Sequence, residues 1–422
     1  MTKLLSGNIL YAVIALVAVA TSITFVWFQT SQAKIEIVSP IANSTDQKIS
    51  NLEVQLAQQP KNVVVALSLS ELYLQKIRET GDASLYTKID DALNVVSSSN
   101  NDPGILARRA EVENGRHNFK AGLKLISEAI ALDTNQAIYY GIKSDAEIEL
   151  GLYEEARMSL QTMMNKKPNF SSFSRIAYQR ELTGDREGAI EALRTAISAG
   201  SSYKENIAWA YVEVGKLYFI SDIDEARINF EQALALYPNY APALEGLGRI
   251  AYKIGNNEKA LDFFTRAFES MPVAQYATTL GDYYSLQAQE EKSQQYYTLA
   301  HQAYNNAAGV NVDLEYSLFL ADHGDPKEAL TRAERAYTDR PSMYGAHTYA
   351  WVLLKNNQVS EAKTIIDTSL QMGEYDPIIL YHASVIYAAN NKLEEAKLYL
   401  DEAKAQINFG SLKVNSLLID TR

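Results

Sequence analysis

One period dominates this chain: Ala226, Phe230, Ala233 and Pro238 recur 34 residues later as Ala260, Phe264, Ala267 and Pro272. Self-similarity at a fixed spacing of roughly 20–50 residues means one supersecondary unit stacked many times. The same register extends outward. Its small-residue position falls at Ala92, Ala129, Met163, Ala196, Ala233, Ala267, Ala300, Ala336, Ser369 and Ala403, with spacings of 37, 34, 33, 37, 34, 33, 36, 33 and 34. Ten repeats therefore fit between residues 58 and 408, and they use up most of the 422-residue chain.

Each unit reads as two antiparallel helices that cannot bury both apolar faces alone, so neighbours must stack. Alanine belongs where helices cross closely, and the aromatic one turn earlier fills the space between adjacent pairs. Gly115, Gly151, Gly184, Gly255 and Gly324 fall in or near the turns between helices, where positive φ is cheap for glycine. Pro168, Pro238, Pro272 and Pro341 mark the ends of second helices. With only 10 prolines and 20 glycines, the chain favours long helical runs over many short strands.

The stretch 241–272 carries Leu247, Gly248, Gly255, Ala260, Phe264, Ala267 and Pro272, and in this it resembles the tetratricopeptide-repeat (TPR) family. The resemblance covers roughly 350 residues. It departs where the family's fourth-position tryptophan is replaced, by Leu244 or Ala210, and where its eighth-position glycine becomes Ser144, Val214 or Ala350. As a whole the chain is similar to exported bacterial TPR proteins without a generally assigned activity. The resemblance implies an all-α, right-handed superhelical solenoid with a concave groove lined mainly by first helices, and a protein-binding scaffold or adaptor in place of an enzyme. It does not imply a particular ligand. The family's carboxylate clamp needs an asparagine at the ninth position. Here the ninth positions are Glu111, Asp145, Tyr178, Gly215, Arg249, Asp282, Leu318, Trp351 and Val385, so the clamp is absent.

Ahead of the repeats, residues 8–28 are uncharged, and as a helix they span roughly 31 Å, about a bilayer's hydrocarbon core. Trp27 and Phe28 suit the far interface. Lys3 weakly favours an inside N-terminus, while Lys34 is offset by Glu36, so the repeats are expected in the periplasm or another extracytoplasmic space. Ser31-Gln32-Ala33 has the small-x-small form of a cleavage site, and the rival reading is a secreted protein released there. Residues 1–29 are thus a transmembrane or signal segment, 30–57 a linker, 58–408 the solenoid and 409–422 a tail or cap.

Composition narrows the function further. The net charge of −12 with no clustered Lys and Arg argues against nucleic acid. No cysteine is present, which removes disulfides, thiolate metal sites and a thiol nucleophile. No phosphate loop, dinucleotide fingerprint, nucleophile elbow or HExxH motif appears. Asp322-His323-Gly324-Asp325 invites a metal reading, but it sits in a repeat turn and lacks a second histidine at ligand spacing. His117, His301, His347 and His382 form no motif. No cofactor is expected, and an enzyme with an unrecognised site is the remaining alternative.

Many of the 27 tyrosines, Tyr284 and Tyr297 among them, fall on packing positions. The register instead places Asp145, Tyr178, Tyr211, Arg249, Tyr252, Asp282, His347 and Trp351 on the groove face of first helices. These are the candidate partner-binding residues, and the expected partners are other proteins or extended peptide segments. The longer spacings, at 99–102, 200–206 and 304–309, read as points where the superhelix flexes.

Overall fold

The structure is a computed structural model that describes residues 42–96, 101–219, 221–371, 376–405 and 412. The apolar stretch at 8–28, the cleavage motif and the long-spacing residues 99 and 100 lie outside the described residues. Among the described residues there is no strand, and no helix is long and apolar enough to cross a membrane.

Ten helix pairs follow one another in the predicted register. They are α2 (Val63–Thr80) with α3 (Leu85–Val95), α4 (Pro103–Gly115) with α5 (Phe119–Leu132), and α6 (Ala137–Glu149) with α7 (Tyr153–Lys166). Then come α8 (Phe170–Leu182) with α9 (Arg186–Ala199), α10 (Lys204–Tyr218) with α11 (Ile223–Leu236), and α12 (Ala241–Lys253) with α13 (Asn257–Ser270). The last four pairs are α14 (Ala274–Leu286) with α15 (Glu290–Asn305), α16 (Asp313–His323) with α17 (Pro326–Asp339), α18 (Met343–Lys355) with α19 (Val359–Leu370), and α20 (Pro377–Ala389) with α21 (Leu393–Ala405). The span 30–57, expected as linker, is helical from residue 42 onward: α1 (Ala42–Gln58) precedes the first pair. It buries Ile49 and Leu56 against the first repeat, and Lys76 of α2 pairs with its Asp46 at 2.7 Å. The sequence hid it because only one narrow stripe of an otherwise polar stretch is apolar.

Every one of the ten small-residue positions, Ala92 through Ala403, is buried. Phe230 shows why the pattern repeats. Its ring is fully buried between two first helices, and a Cβ added at Gly215 or Gly246 would sit 2.7 or 2.5 Å from it. The glycines make room on both sides for one aromatic ring, so adjacent repeats lock through a knob that a larger residue would displace.

Gly151, Gly184 and Gly255 take φ of 74°, 76° and 79° in their turns, as expected. Gly115 and Gly324 do not. Gly115 lies inside α4, close against the Tyr86 ring, and the left-handed position of that turn is held by His117 at φ 61°. In Asp322-His323-Gly324-Asp325, the Asp325 carboxylate caps α17 by accepting from the Lys327 amide at 2.9 Å.

The solenoid closes on itself. Turns of repeats 1 to 3 meet loops that follow repeats 4 to 8, joining residues far apart in sequence. Gln75 donates to Glu205 at 3.2 Å, and Arg78 lies 3.7 Å from the same carboxylate. The Asn311 amide donates to the Arg116 carbonyl at 2.9 Å. Lys120 pairs with Asp339 at 3.2 Å, and Arg340 pairs with Glu149 at 2.7 Å. The Tyr153 hydroxyl accepts from the Met343 amide at 2.9 Å. The longer loop at 200–206 and the residues just past 304–309 are therefore docking points where flexing points were expected. Tyr203 and Val310 pack onto the core of the first repeat. Extra residues give a loop the reach to touch the facing turn of the superhelix.

Candidate functional site

The eight residues that the register assigns to the concave face separate into three settings along the solenoid. In repeats 3 to 5 they are exposed or half-buried. Arg175 of α8 donates from Nε and Nη2 to the two Asp145 carboxylate oxygens, both at 2.8 Å, bridging neighbouring first helices. One turn along α8, Tyr178 keeps 37% of its surface accessible. Yet burial pushes its phenol pKa well above the ordinary 10, with Glu149, Glu181 and Tyr153 adding to the rise and Arg340 opposing it. Lys216 of α10 donates to Glu213 at 2.9 Å. Burial works against the Lys216 charge, but Glu213, Glu245 and Glu181 outweigh it and raise the ammonium pKa. Tyr211 is half-buried and packs with the Phe230 cluster, so it contributes less surface than expected.

In repeats 6 and 7 the candidates turn inward. Arg249 is buried and donates from Nη2 to Glu245 at 2.8 Å. Glu245 also accepts from Thr279 at 2.9 Å and Gln275 at 3.1 Å, both on α14. Asp282 is buried too, accepting from the Tyr297 hydroxyl at 2.9 Å with His323 Nε2 3.5 Å away. Tyr252 meets Tyr283 edge-on at 6.1 Å. Arg249 is therefore held on its own helix by Glu245, and Asp282 faces Tyr297 and His323, where the register suggested an open wall. A buried charge requires such partners, here on the same or the adjoining repeat.

In repeats 9 and 10, His347 and Trp351 are buried as well. His347 Nε2 and His382 Nδ1 are 2.7 Å apart, and the Trp351 indole stacks on His382 at 3.6 Å with planes 2° apart. Trp351 Nε1 donates to Asp322 at 2.9 Å, and Lys355 lies 3.2 Å from the same carboxylate. Burial lowers the His347 pKa to about 4. Burial, then His347 and Lys355, push His382 well below its usual range. Both shifts favour neutral rings, which are placed to form one hydrogen bond. His382, which formed no motif in the sequence, is thus the centre of this cluster. Among the described residues no three His, Asp or Glu side chains gather to hold a metal ion.

Sequence reasoning missed Arg175, Glu149, Glu181, Lys216 and Arg340. Arg340 stands just before Pro341 in a loop, and its partner Glu149 is 191 residues away, so no local pattern points to it.

Residues 221–283 match the family model described as tetratricopeptide repeat. The DnaJ homolog subfamily C member 7 homolog of Schizosaccharomyces pombe is 25% identical over 210 residues, 44% of this chain and 44% of that protein. The chain thus spans less than half the length of this curated relative. Among solved structures, the human IFIT1 dimer is 13% identical, covering 88% of this chain and 91% of that one at a TM-score of 0.45. PilW, a type IV pilus biogenesis factor, is also 13% identical, covering 50% and 98% at a TM-score of 0.41. At such scores neither carries an argument about overall shape or ligand.

Proposed function

With the chain identified as a tetratricopeptide-repeat protein, we propose that it is a non-enzymatic scaffold that holds an extended segment of another protein against the first helices of repeats 3 to 5. Tyr178 carries this reading: it keeps 37% of its surface accessible and lies one helical turn from Arg175, which pairs with Asp145 on the neighbouring first helix. Tyrosine covers apolar parts of a peptide at low entropic cost, while flanking charges of both signs fix its polar groups and direction. Arg249, Asp282, His347 and Trp351 serve in this reading as ties that shape the wall.

The finer parts of the proposal rest on sequence. Residues 8–28 tether the protein to a membrane and the repeats face outside the cytoplasm, with release after Ala33 as the alternative. Two experiments test these points. A photo-crosslinking amino acid at position 178 should capture a partner, and the same group at the exposed outer Leu398 should not. Equal capture, or none at 178, rejects the concave site. Full-length protein should stay with membranes through a carbonate wash, and soluble protein beginning at Lys34 would replace the tether with secretion.

A further inference from the structure

We propose that the chain supplies its own occupant for repeats 6 and 7: the C-terminal segment docks there through Leu412, and a leucine-bearing partner segment must displace it. Leu412 is only 4% exposed. It belongs to one apolar cluster with Ala251 of α12, Phe264 of α13, and Leu280, Tyr283 and Tyr284 of α14. Tyr252, a residue the register places on the groove face, lies at the rim of the same cluster. The last helix of the solenoid ends at Ala405, in repeat 10, whereas this cluster belongs to repeats 6 and 7.

The distance is informative. Seven residues reach at most about 25 Å. From α13 to α21 the outer layer of second helices takes four steps of about 8–10 Å each, or roughly 32–40 Å. The end of repeat 10 and repeats 6 and 7 are therefore brought together by the curvature of the superhelix.

The receiving surface suits an aliphatic side chain. Tyr283 sits among four other rings, with centroids 6.1 Å from Tyr252, 5.9 Å from Phe264 and 5.6 Å from Tyr284, which in turn stacks on Tyr296 at 5.6 Å. Its hydroxyl is already used, donating to the Asn257 carbonyl at 2.9 Å. What remains is aromatic surface with no orphaned polar group to satisfy, so a leucine covers it without a desolvation cost. The segment 406–422 also carries Ile407, Phe409, Val414, Leu417, Leu418 and Ile419, an apolar content that favours docking. A tether this short raises the effective concentration to the millimolar range. A single leucine anchor nevertheless stays displaceable by a partner with more contacts.

This inference concerns repeats 6 and 7, beyond the site proposed at repeats 3 to 5, and its test needs no partner. A fluorescent synthetic peptide of residues 406–422 is titrated by anisotropy into full-length wild type and full-length Leu412→Asp. The peptide should bind Leu412→Asp at least about 30-fold more tightly than wild type, whose own segment occupies the surface. A peptide carrying the same substitution should bind neither. Trypsin cleavage after Lys413 should also be faster in Leu412→Ala, which puts no acidic residue beside the cleaved bond, than in wild type, with unchanged helical circular dichroism. The milder Leu412→Ala serves if the aspartate variant fails to fold. Equal peptide binding to both chains, no binding to a folded variant, or equal cleavage rates overturn the proposal. So does a concentration-dependent wild-type dimer that the substitution dissolves, because the segment would then seat on a second copy. Failed capture at position 178 with these results intact would reject the partner reading alone.

Discussion

Arg340→Met is the sharpest perturbation of the closed solenoid, since it deletes the guanidinium and keeps an apolar stem. The Arg340 side chain is 9% accessible and makes three polar contacts: Nη2 and Nε to Glu149 at 2.7 and 3.3 Å, and Nη1 to Glu315 at 3.1 Å. It also lies 5.0 Å above the Phe119 ring. Breaking a fully buried pair costs about 3–5 kcal/mol, because one charge is left without compensation. Here Glu149 keeps 19% and Glu315 40% of its side chain accessible, so water takes over part of the solvation. Exposed pairs contribute only about 0.2–1 kcal/mol. The expected loss lies between these limits, at about 2 kcal/mol. It should appear as a lower urea midpoint, and the freed turns should raise the radius of gyration in small-angle scattering. A Glu149→Gln cycle should give a coupling of about 1 kcal/mol or more. A change under about 0.5 kcal/mol with an unaltered radius would refute the idea that this contact holds the superhelix closed.

Ala267→Leu should cost about 1–3 kcal/mol by overpacking a closed helix crossing, read as a drop in melting temperature. Arg249→Ala should act on stability, losing about 3 kcal/mol in chemical denaturation, because Glu245 would remain buried without its cation. The buried histidines set an acid limit. His347 has a pKa of about 4 folded against 6.5 unfolded, so below pH 6.5 the unfolded chain binds the extra proton first. That contribution is complete above pH ~6.5 and fades as pH falls toward 4, by about 3 kcal/mol in all. His382→Phe, which retains a ring against Trp351, should flatten the fall in urea midpoint between pH 7 and 5.

The sequence alone determined the repeat unit, its ten-fold register and the burial of every small-residue position from Ala92 to Ala403. These follow from contacts within a repeat or with the next one, and a 34-residue period records such contacts directly. It also assigned Tyr178 to the groove face of its first helix, because helical phase is local. Tertiary structure decided which of the residues so assigned stay open. Arg249, Asp282, His347 and Trp351 share phase with Tyr178, yet Glu245, Tyr297 and His382 on their own or adjoining repeats take them inward. The closure decided most of the rest. Loops expected to flex, or residues just past them, instead dock on repeats 1 and 2, and Arg340 finds Glu149 191 residues away. Such pairs depend on a small rotation between neighbours summed over many repeats. No window of sequence encodes that sum, so only the assembled superhelix brings the two turns together.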